Sequence, residues 1–281
     1  MKEKISAYID SQREDFLKDL KSLVDIKSVR EAPLPGKPFG EGPARALEET
    51  VKISASHGFD TVNFDNYAGE ITYGKDPVLM LLAHLDVVDE GDFWTYEPYN
   101  MTIADGKAYG RGTTDDKGAM LCCLYAVKAA RELFGEPKKG VRLVMGCGEE
   151  TGSEDMDYYF SKREKLPFTL SPDADYPLIN LEKGRFAPKF TKTAENGGEK
   201  TVVSFAGGTT GNIVPCKSKV LISGITAEEA RSVIVEVSEK TGVQFSVSEE
   251  NGLLGISALG VSAHAAHPES GNNAQTALIS L

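Results

Sequence analysis

The fold is decided by the stretch Leu81-Leu82-Ala83-His84-Leu85-Asp86-Val87-Val88. Its apolar run predicts a buried strand that ends at His84. In open α/β sheets, ligands bind beyond the carboxyl ends of the strands. A histidine in that place can bind a metal through one ring nitrogen, while a carboxylate such as that of Asp86 orients the other nitrogen. The alternative is a core histidine beside a solvated aspartate, and this stretch alone favours neither reading.

Composition excludes several classes of protein. The length of 281 residues leaves room for one large domain or two moderate ones. A net charge of −11 argues against a nucleic-acid partner, because phosphate binding relies on Lys and Arg, but it suits metal binding by carboxylates. We find no apolar signal region and no run of membrane-spanning length, so the sequence predicts a cytoplasmic protein without a membrane partner. The four cysteines lack zinc-finger spacing, which indicates reduced thiols.

The hydrophobic pattern changes near Gly184. Before it, helical spacing predicts helices at 14–26, 43–58 and 118–135, and apolar runs predict strands at 61–64, 69–73, 78–84, 141–147 and 178–181. After it, strands at 186–193, 201–205, 243–247 and 252–261 with a helix at 227–241 predict a smaller α+β layer. We therefore expect two domains, 1–185 and 186–281.

Acidic groups gather at the predicted strand ends. The pairs are His84 with Asp86, Asp115 with Asp116, Glu149 with Glu150, and Asp173 with Asp175. Each pair alone could be a helix cap, a solvated loop or an Asx turn. Together they would repel one another unless cations neutralised them. One histidine among several carboxylates favours zinc or manganese over calcium or magnesium.

Such a cluster could hold two metals that share a bridging carboxylate. A metal pair can polarise a carbonyl group and generate hydroxide at neutral pH. One carboxylate must then stay free of the metals to take the proton of the water. The doublet Glu149-Glu150 could divide these two tasks.

Three motifs now indicate a family. They are the segments 82–87, 110–118 and 148–153, in this order along the chain. The chain resembles the di-zinc exopeptidase family of carnosinase, aminoacylase, succinyl-diaminopimelate desuccinylase and glutamate carboxypeptidase. Segments 36–44 and 172–177 resemble its bacterial dipeptidase V (Xaa-His dipeptidase-like) branch. The resemblance implies an α/β fold, in which a three-layer α/β/α catalytic domain with a mixed sheet carries a smaller α+β, ferredoxin-like lid domain.

The resemblance also implies roles for particular residues. The metal ligands would be His84, Asp115, Glu150 and Asp173. Asp115 would bridge the two metals, and its peptide bond to Asp116 would be cis. Asp175 is the competing candidate for the ligand role of Asp173, which directly follows the proline as the family ligand does.

The remaining roles would be catalytic and substrate-binding. Glu149 would be the general base and later the acid, and Asp86 would steady the imidazole of His84. In the lid, segment 260–274 matches the family signature, and His264 would stabilise the oxyanion of the substrate carbonyl as a catalytic and substrate-binding residue. Asn212, in the matching segment 211–215, would hold substrate.

The implied function is a zinc-dependent dipeptidase with two Zn ions, where Mn or Co is possible. It would act on a dipeptide or small peptide as a monomer or homodimer. The alternatives are an N-acyl amino-acid deacylase with the same site and an inactive protein that keeps the fold for binding. The chain departs from the family in lacking a second-metal histidine and a carboxylate-binding arginine. Since it stops at Leu281 within a predicted helix, we expect it to be the N-terminal part of a longer polypeptide.

Overall fold

The computed structural model describes residues 1–91, 94–174, 176, 178–181, 183–184, 186, 188–189, 191, 198–208 and 211–281. The chain divides into two compact units, Met1–Ile179 and Asn180–Leu281. The sequence predicts a boundary between 185 and 186, whereas the compact units divide after Ile179. The assignment of a catalytic and a lid domain stays a prediction. Within the described ranges, no helix has both the length and the apolar character needed to cross a membrane.

The described elements follow one another along the chain in this way. The helices are α1 (Lys2–Ser11), α2 (Arg13–Val24), α3 (Glu41–Ser56), α4 (Lys117–Phe134), α5 (Glu154–Lys162), α6 (Ala227–Thr241) and α7 (Ala274–Ile279). The strands are β1 (Val62–Phe64), β2 (Ala68–Tyr73), β3 (Leu79–His84), β4 (Thr102–Ala104), β5 (Lys107–Tyr109), β6 (Val141–Gly146), β7 (Phe168–Leu170), β8 (Thr201–Gly207), β9 (Lys217–Ser223), β10 (Gln244–Glu250) and β11 (Leu253–Leu259).

The first unit contains a mixed sheet in the order β1-β2-β6-β3-β7. The β1–β2 and β2–β6 pairs are antiparallel, whereas β3 runs parallel to both β6 and β7. Successive residues of a strand point to opposite faces, so a sheet with helices on both sides needs apolar residues at nearly every position. The continuous apolar run of β3 meets this need and explains its central place.

Helices cover both faces of this sheet. On one face, Leu81 and Leu143 pack in a core with residues of α2, α3 and α4. On the other, Met80 and Val144 pack against Tyr159 of α5. The predicted α/β class with three layers and a mixed sheet is therefore confirmed.

The second unit is a four-stranded antiparallel sheet in the order β10-β11-β9-β8. Alternate residues of its strands, among them Val220 and Ile256, form a core with Ala230 and Val237 of α6 and Leu278 of α7. A strand pattern that is apolar on one face only is typical of a sheet covered by helices on one side. The predicted α+β layer is confirmed.

One predicted strand was wrong, and two strands, β7 and β9, were missed in the sequence. Residues 178–181 form no strand, and Leu178 and Leu181 are highly exposed, because an apolar run becomes a strand only where a partner supplies backbone hydrogen bonds. β7, earlier in the chain, is the strand that pairs with β3. Strand β9 was missed in the sequence. The strand predicted at 186–193 falls largely on residues outside the described ones.

Candidate metal centre

The carboxyl ends of β3 and β6 bring the segment of His84 and Asp86 next to the segment of Glu149 and Glu150. Because the two strands are parallel, His84 at the end of β3 lies opposite Gly146 at the end of β6. The amide of Leu85 continues this pairing by donating to the carbonyl of Gly146 at 2.8 Å. The chain then turns at each strand end, which places Asp86 beside the turn that carries Glu149 and Glu150.

His84 is buried, and its Nε2 atom has no hydrogen-bond partner among the described residues. Carboxylate oxygens of Asp115 and Asp173 lie 3.1 and 3.4 Å from it. The nearest oxygen of Glu149 lies 3.9 Å away. Ligands at about 2.0–2.2 Å from one tetrahedral zinc ion are roughly 3.3–3.6 Å apart. The distances from Nε2 to Asp115 and to Asp173 are therefore each closer to the separation of two ligands on one zinc ion than the distance from Nε2 to Glu149 is.

The other ring nitrogen of His84 contacts the main chain of Asp86. Nδ1 lies 2.9 Å from the carbonyl oxygen of Asp86 and 3.5 Å from its carboxylate. A proton on Nδ1 donates to that carbonyl and leaves the lone pair of Nε2 for a metal. The structure thus places the carbonyl of Asp86, rather than its carboxylate, nearest to the imidazole.

The carboxylate of Asp86 binds the acidic turn instead. Its two oxygens accept hydrogen bonds from the backbone amides of Glu149 and Glu150, each at 3.1 Å. Asp86 is fully buried, so these are charge-assisted bonds shielded from water. They hold a short 3-10 turn, Glu149–Thr151, from which both glutamate side chains project.

Asp115 and Asp116 follow a loop that leads into α4. The peptide bond between them is cis, as predicted. Asp116 is fully buried and accepts the backbone amide of His84 at 3.0 Å, while Asp115 turns its carboxylate towards the ring of His84. Asp116 occupies the N-cap position of α4 but makes no side-chain capping bond there. The alternative that this pair only caps the helix is therefore wrong.

Burial and mutual repulsion shift the ionisation of the cluster. Burial, followed by the charge of Asp115, raises the pKa of Glu150 to about 7. Burial also raises the pKa of Glu149. For His84, burial lowers the pKa, but the carboxylates of Asp115 and Asp173 beside its ring outweigh burial and raise the pKa above its usual range. The cluster thus favours positive charge at its centre, which a metal cation supplies.

All the predicted ligands meet in this place. One group that could hold a metal consists of His84, Glu149 and Asp173, and a second consists of His84, Asp115 and Glu150. Within each group the ligand atoms lie within 4.8 Å of one another. The combination of one imidazole with several carboxylates suits zinc or manganese. Asp175, the competitor of Asp173, lies outside the described residues.

The predicted lid residues Asn212 and His264 come together within the second unit. Ile213 forms a β-bridge with His264, and the amide of Ala265 donates to the carbonyl of Asn212 at 2.7 Å. His264 is exposed, and its Nδ1 accepts the amide of Ala266 at 3.2 Å. With Nδ1 as the acceptor, the neutral ring carries its proton on Nε2, where it can act as a donor.

Two buried residues at the metal centre were missed in the sequence. Lys117 is fully buried, and its ammonium group donates to the carbonyls of Leu23 and Ile26 at 2.9 and 2.7 Å. Asp155 is also fully buried and accepts the amide of Gly148 at 3.0 Å. Lys117 binds backbone groups of a segment distant in sequence, so no local pattern reveals its contacts.

The sequence of this chain is similar to the sequences of known proteins. The sequence model of peptidase family M20/M25/M40 matches residues 80–191, which include every predicted metal ligand. Over these residues the chain is similar to the peptidases of the M20 family. The protein YtjP of Bacillus subtilis (strain 168), whose name assigns it provisionally as a dipeptidase, is 35% identical over 94% of the chain. The Beta-Ala-Xaa dipeptidase of Lactobacillus delbrueckii subsp. lactis is 34% identical over 96% of the chain.

A solved structure supports the fold of this chain. Human carnosine dipeptidase 1 superposes with a TM-score of 0.52 and 26% identity, over 62% of this chain and 41% of that protein. The chain spans 58% of the length of both curated relatives. The activity of the whole protein is therefore a matter for proposal.

Proposed function

We propose that this chain carries the metal centre of a zinc-dependent dipeptidase that hydrolyses the peptide bond of dipeptides. One observation supports this most. The Nε2 atom of His84 is buried without a hydrogen-bond partner among the described residues, and carboxylate oxygens of Asp115 and Asp173 lie 3.1 and 3.4 Å from it, close to the separation of two ligands on one zinc ion. The names of the curated relatives support peptide substrates.

In this proposal His84, Asp115, Asp173 and Glu150 hold two zinc ions, and manganese or cobalt could replace them. Bound zinc polarises the substrate carbonyl and lowers the pKa of a water molecule towards neutrality. The buried amide contacts of Asp86 keep Glu149 and Glu150 in fixed directions, so that little reorganisation is needed during the reaction.

Glu149 is the proposed general base. Its carboxylate lies farther from the Nε2 atom of His84 than those of Asp115 and Asp173 do, which leaves it available for proton transfer. Burial raises its pKa towards the pH at which a base must work. Glu149 accepts the proton of the attacking water and returns it to the leaving amine.

The second unit supplies the proposed contacts to the substrate. His264 donates from Nε2 to the carbonyl oxygen as negative charge develops there, and Asn212, on the adjacent segment, holds the substrate. We place the protein in the cytoplasm as a monomer or homodimer.

The substitution Glu149→Gln in the zinc-loaded protein tests this proposal. We expect turnover of dipeptides to fall by about 10²–10⁴-fold, because general base catalysis is lost, while zinc content stays unchanged. The control is Glu239→Gln, which makes the same chemical change on an exposed position of α6. Near-normal turnover of Glu149→Gln would refute the assignment. Hydrolysis of N-acyl amino acids but not dipeptides by the unmodified protein would identify a deacylase instead.

A further inference from the structure

Three consecutive amides of the acidic turn each donate to a carboxylate of a fully buried aspartate. Asp86 accepts two of them, from Glu149 and Glu150, at 3.1 Å each. Asp155 accepts the third, from Gly148, at 3.0 Å. The turn is thus bound by one aspartate that follows β3 and by another that belongs to α5, and neither is exposed to solvent.

Asp155 ties the turn to the beginning of α5. One of its oxygens accepts the amide of Gly148, and the other accepts the amide of Met156 at 2.8 Å. Ser153, the N-cap residue of α5, makes no side-chain capping bond, and the amide of Met156 in the first turn donates both to Asp155 and to the carbonyl of Ser153 at 3.1 Å. A single carboxylate therefore joins the helix and the turn.

The neighbouring backbone leaves room for this carboxylate only because residue 146 is glycine. A Cβ atom on Gly146 would lie 2.2 Å from the nearer oxygen of Asp155. Gly146 is the last residue of β6 and pairs with His84 across the parallel strands. The carboxylate of Asp155 thus fills the space between the strand end and the turn.

We propose that Asp155 is a positioning residue for the reaction, which holds the acidic turn so that Glu149 and Glu150 point to the metal centre. This inference rests on the proposed roles of Glu149 as base and Glu150 as ligand. Asp155 acts through the amide of Gly148, the residue directly before the two glutamates. A buried, charged acceptor suits this task, because removing one partner leaves an amide unsatisfied and lets the turn move.

The substitution Asp155→Asn is the main test. An Asn side chain has one acceptor oxygen, so it can serve only one of the two amides that Asp155 now binds. We expect hydrogen exchange at the amide of Gly148 to accelerate by about tenfold or more. Zinc affinity measured by calorimetry and kcat should each fall by about 10- to 100-fold, with little change in KM. The control is Asp157→Asn, which removes the same charge from an exposed position of the same helix and should change none of these quantities.

A second variant moves the carboxylate without removing its charge. Gly146→Ala places a methyl group against the carboxylate of Asp155 and should displace it, so the same local exchange and the same losses are expected. This variant decides the question if Asp155→Asn does not fold, as judged by circular dichroism.

The measurements separate this inference from the proposed function. Unchanged zinc affinity and kcat in folded variants, or unchanged exchange at Gly148, would overturn the positioning role. If the unmodified protein hydrolyses no dipeptide, the proposed function fails. Faster local exchange together with weaker zinc binding would then still support a positioning role for Asp155 towards Glu150, and unchanged zinc binding would overturn it.

Discussion

Loading the metal centre with zinc should release protons, and more of them at lower pH. In the metal-free protein, burial and the charge of Asp115 raise the pKa of Glu150 to about 7. Burial lowers the pKa of His84, but its carboxylate neighbours raise it more, so the ring keeps its proton at neutral pH. A metal needs the free lone pair of the imidazole and the ionised carboxylate, so zinc has to displace both protons.

The size of the effect follows from these two groups. At pH 7 His84 contributes about one proton and Glu150 about half a proton, which gives ~1.5 protons released per cluster. At pH 6 Glu150 is mostly protonated and the release rises to ~1.9, whereas at pH 8 it falls to ~1.1. The slope of log K against pH equals the number of protons released, so zinc affinity should fall roughly 1,000-fold from pH 8 to pH 6.

Calorimetry in two buffers of different ionisation enthalpy measures the proton release directly. Titrations at pH 6, 7 and 8 should follow the values above. In the matched variant Glu150→Gln, the release at pH 7 should fall by about half a proton, because the carboxylate of Glu150 no longer has a proton to lose. A release well below half a proton at pH 7, or one that decreases towards pH 6 in the unmodified protein, would refute this account of the cluster.

Three further predictions concern stability, measured by urea unfolding of the metal-free protein. Glu70→Gln should lower the free energy of unfolding by about 3–5 kcal/mol, because the buried Glu70 accepts the hydroxyl of Tyr159 at 2.6 Å and pairs with Arg142 and Arg163. A decrease below ~1 kcal/mol would contradict this. Thr226→Ala should cost about 1 kcal/mol by removing the capping box of α6, whereas Thr226→Ser should restore most of it. Gly42→Ala should cost about 1–3 kcal/mol, because its Cβ would lie 2.2 Å from the carbonyl oxygen of Lys27, and an unchanged midpoint would disprove the clash.

The convergence of the metal-centre residues could be predicted from the sequence because the fold itself brings them together. Parallel neighbouring strands end at the same edge of a sheet, so the residues after β3 and β6 had to meet. The cis peptide bond between Asp115 and Asp116 followed from the resemblance alone. The roles of these residues stay predictions until they are tested.

The errors have a common physical cause. Whether a segment becomes a strand depends on which partner strand it finds, and a partner distant in sequence leaves no local signal. For this reason a strand was predicted at 178–181, where none forms, and β9 was missed. Lys117 was missed for the same reason. It is a charged side chain whose burial is tolerated because backbone carbonyls far along the chain bind it.

Asp86 shows how one residue can couple two parts of the metal centre. Its carbonyl oxygen contacts the ring of His84, and its carboxylate binds the amides of Glu149 and Glu150. The orientation of the imidazole and the direction of the acidic turn therefore depend on the same short piece of backbone. Any residue at position 86 would supply the backbone carbonyl that contacts the ring. An aspartate is needed there because its carboxylate satisfies two backbone amides at once. A neutral side chain with one acceptor oxygen cannot meet that demand, which explains why a carboxylate is buried beside a cluster that is already acidic.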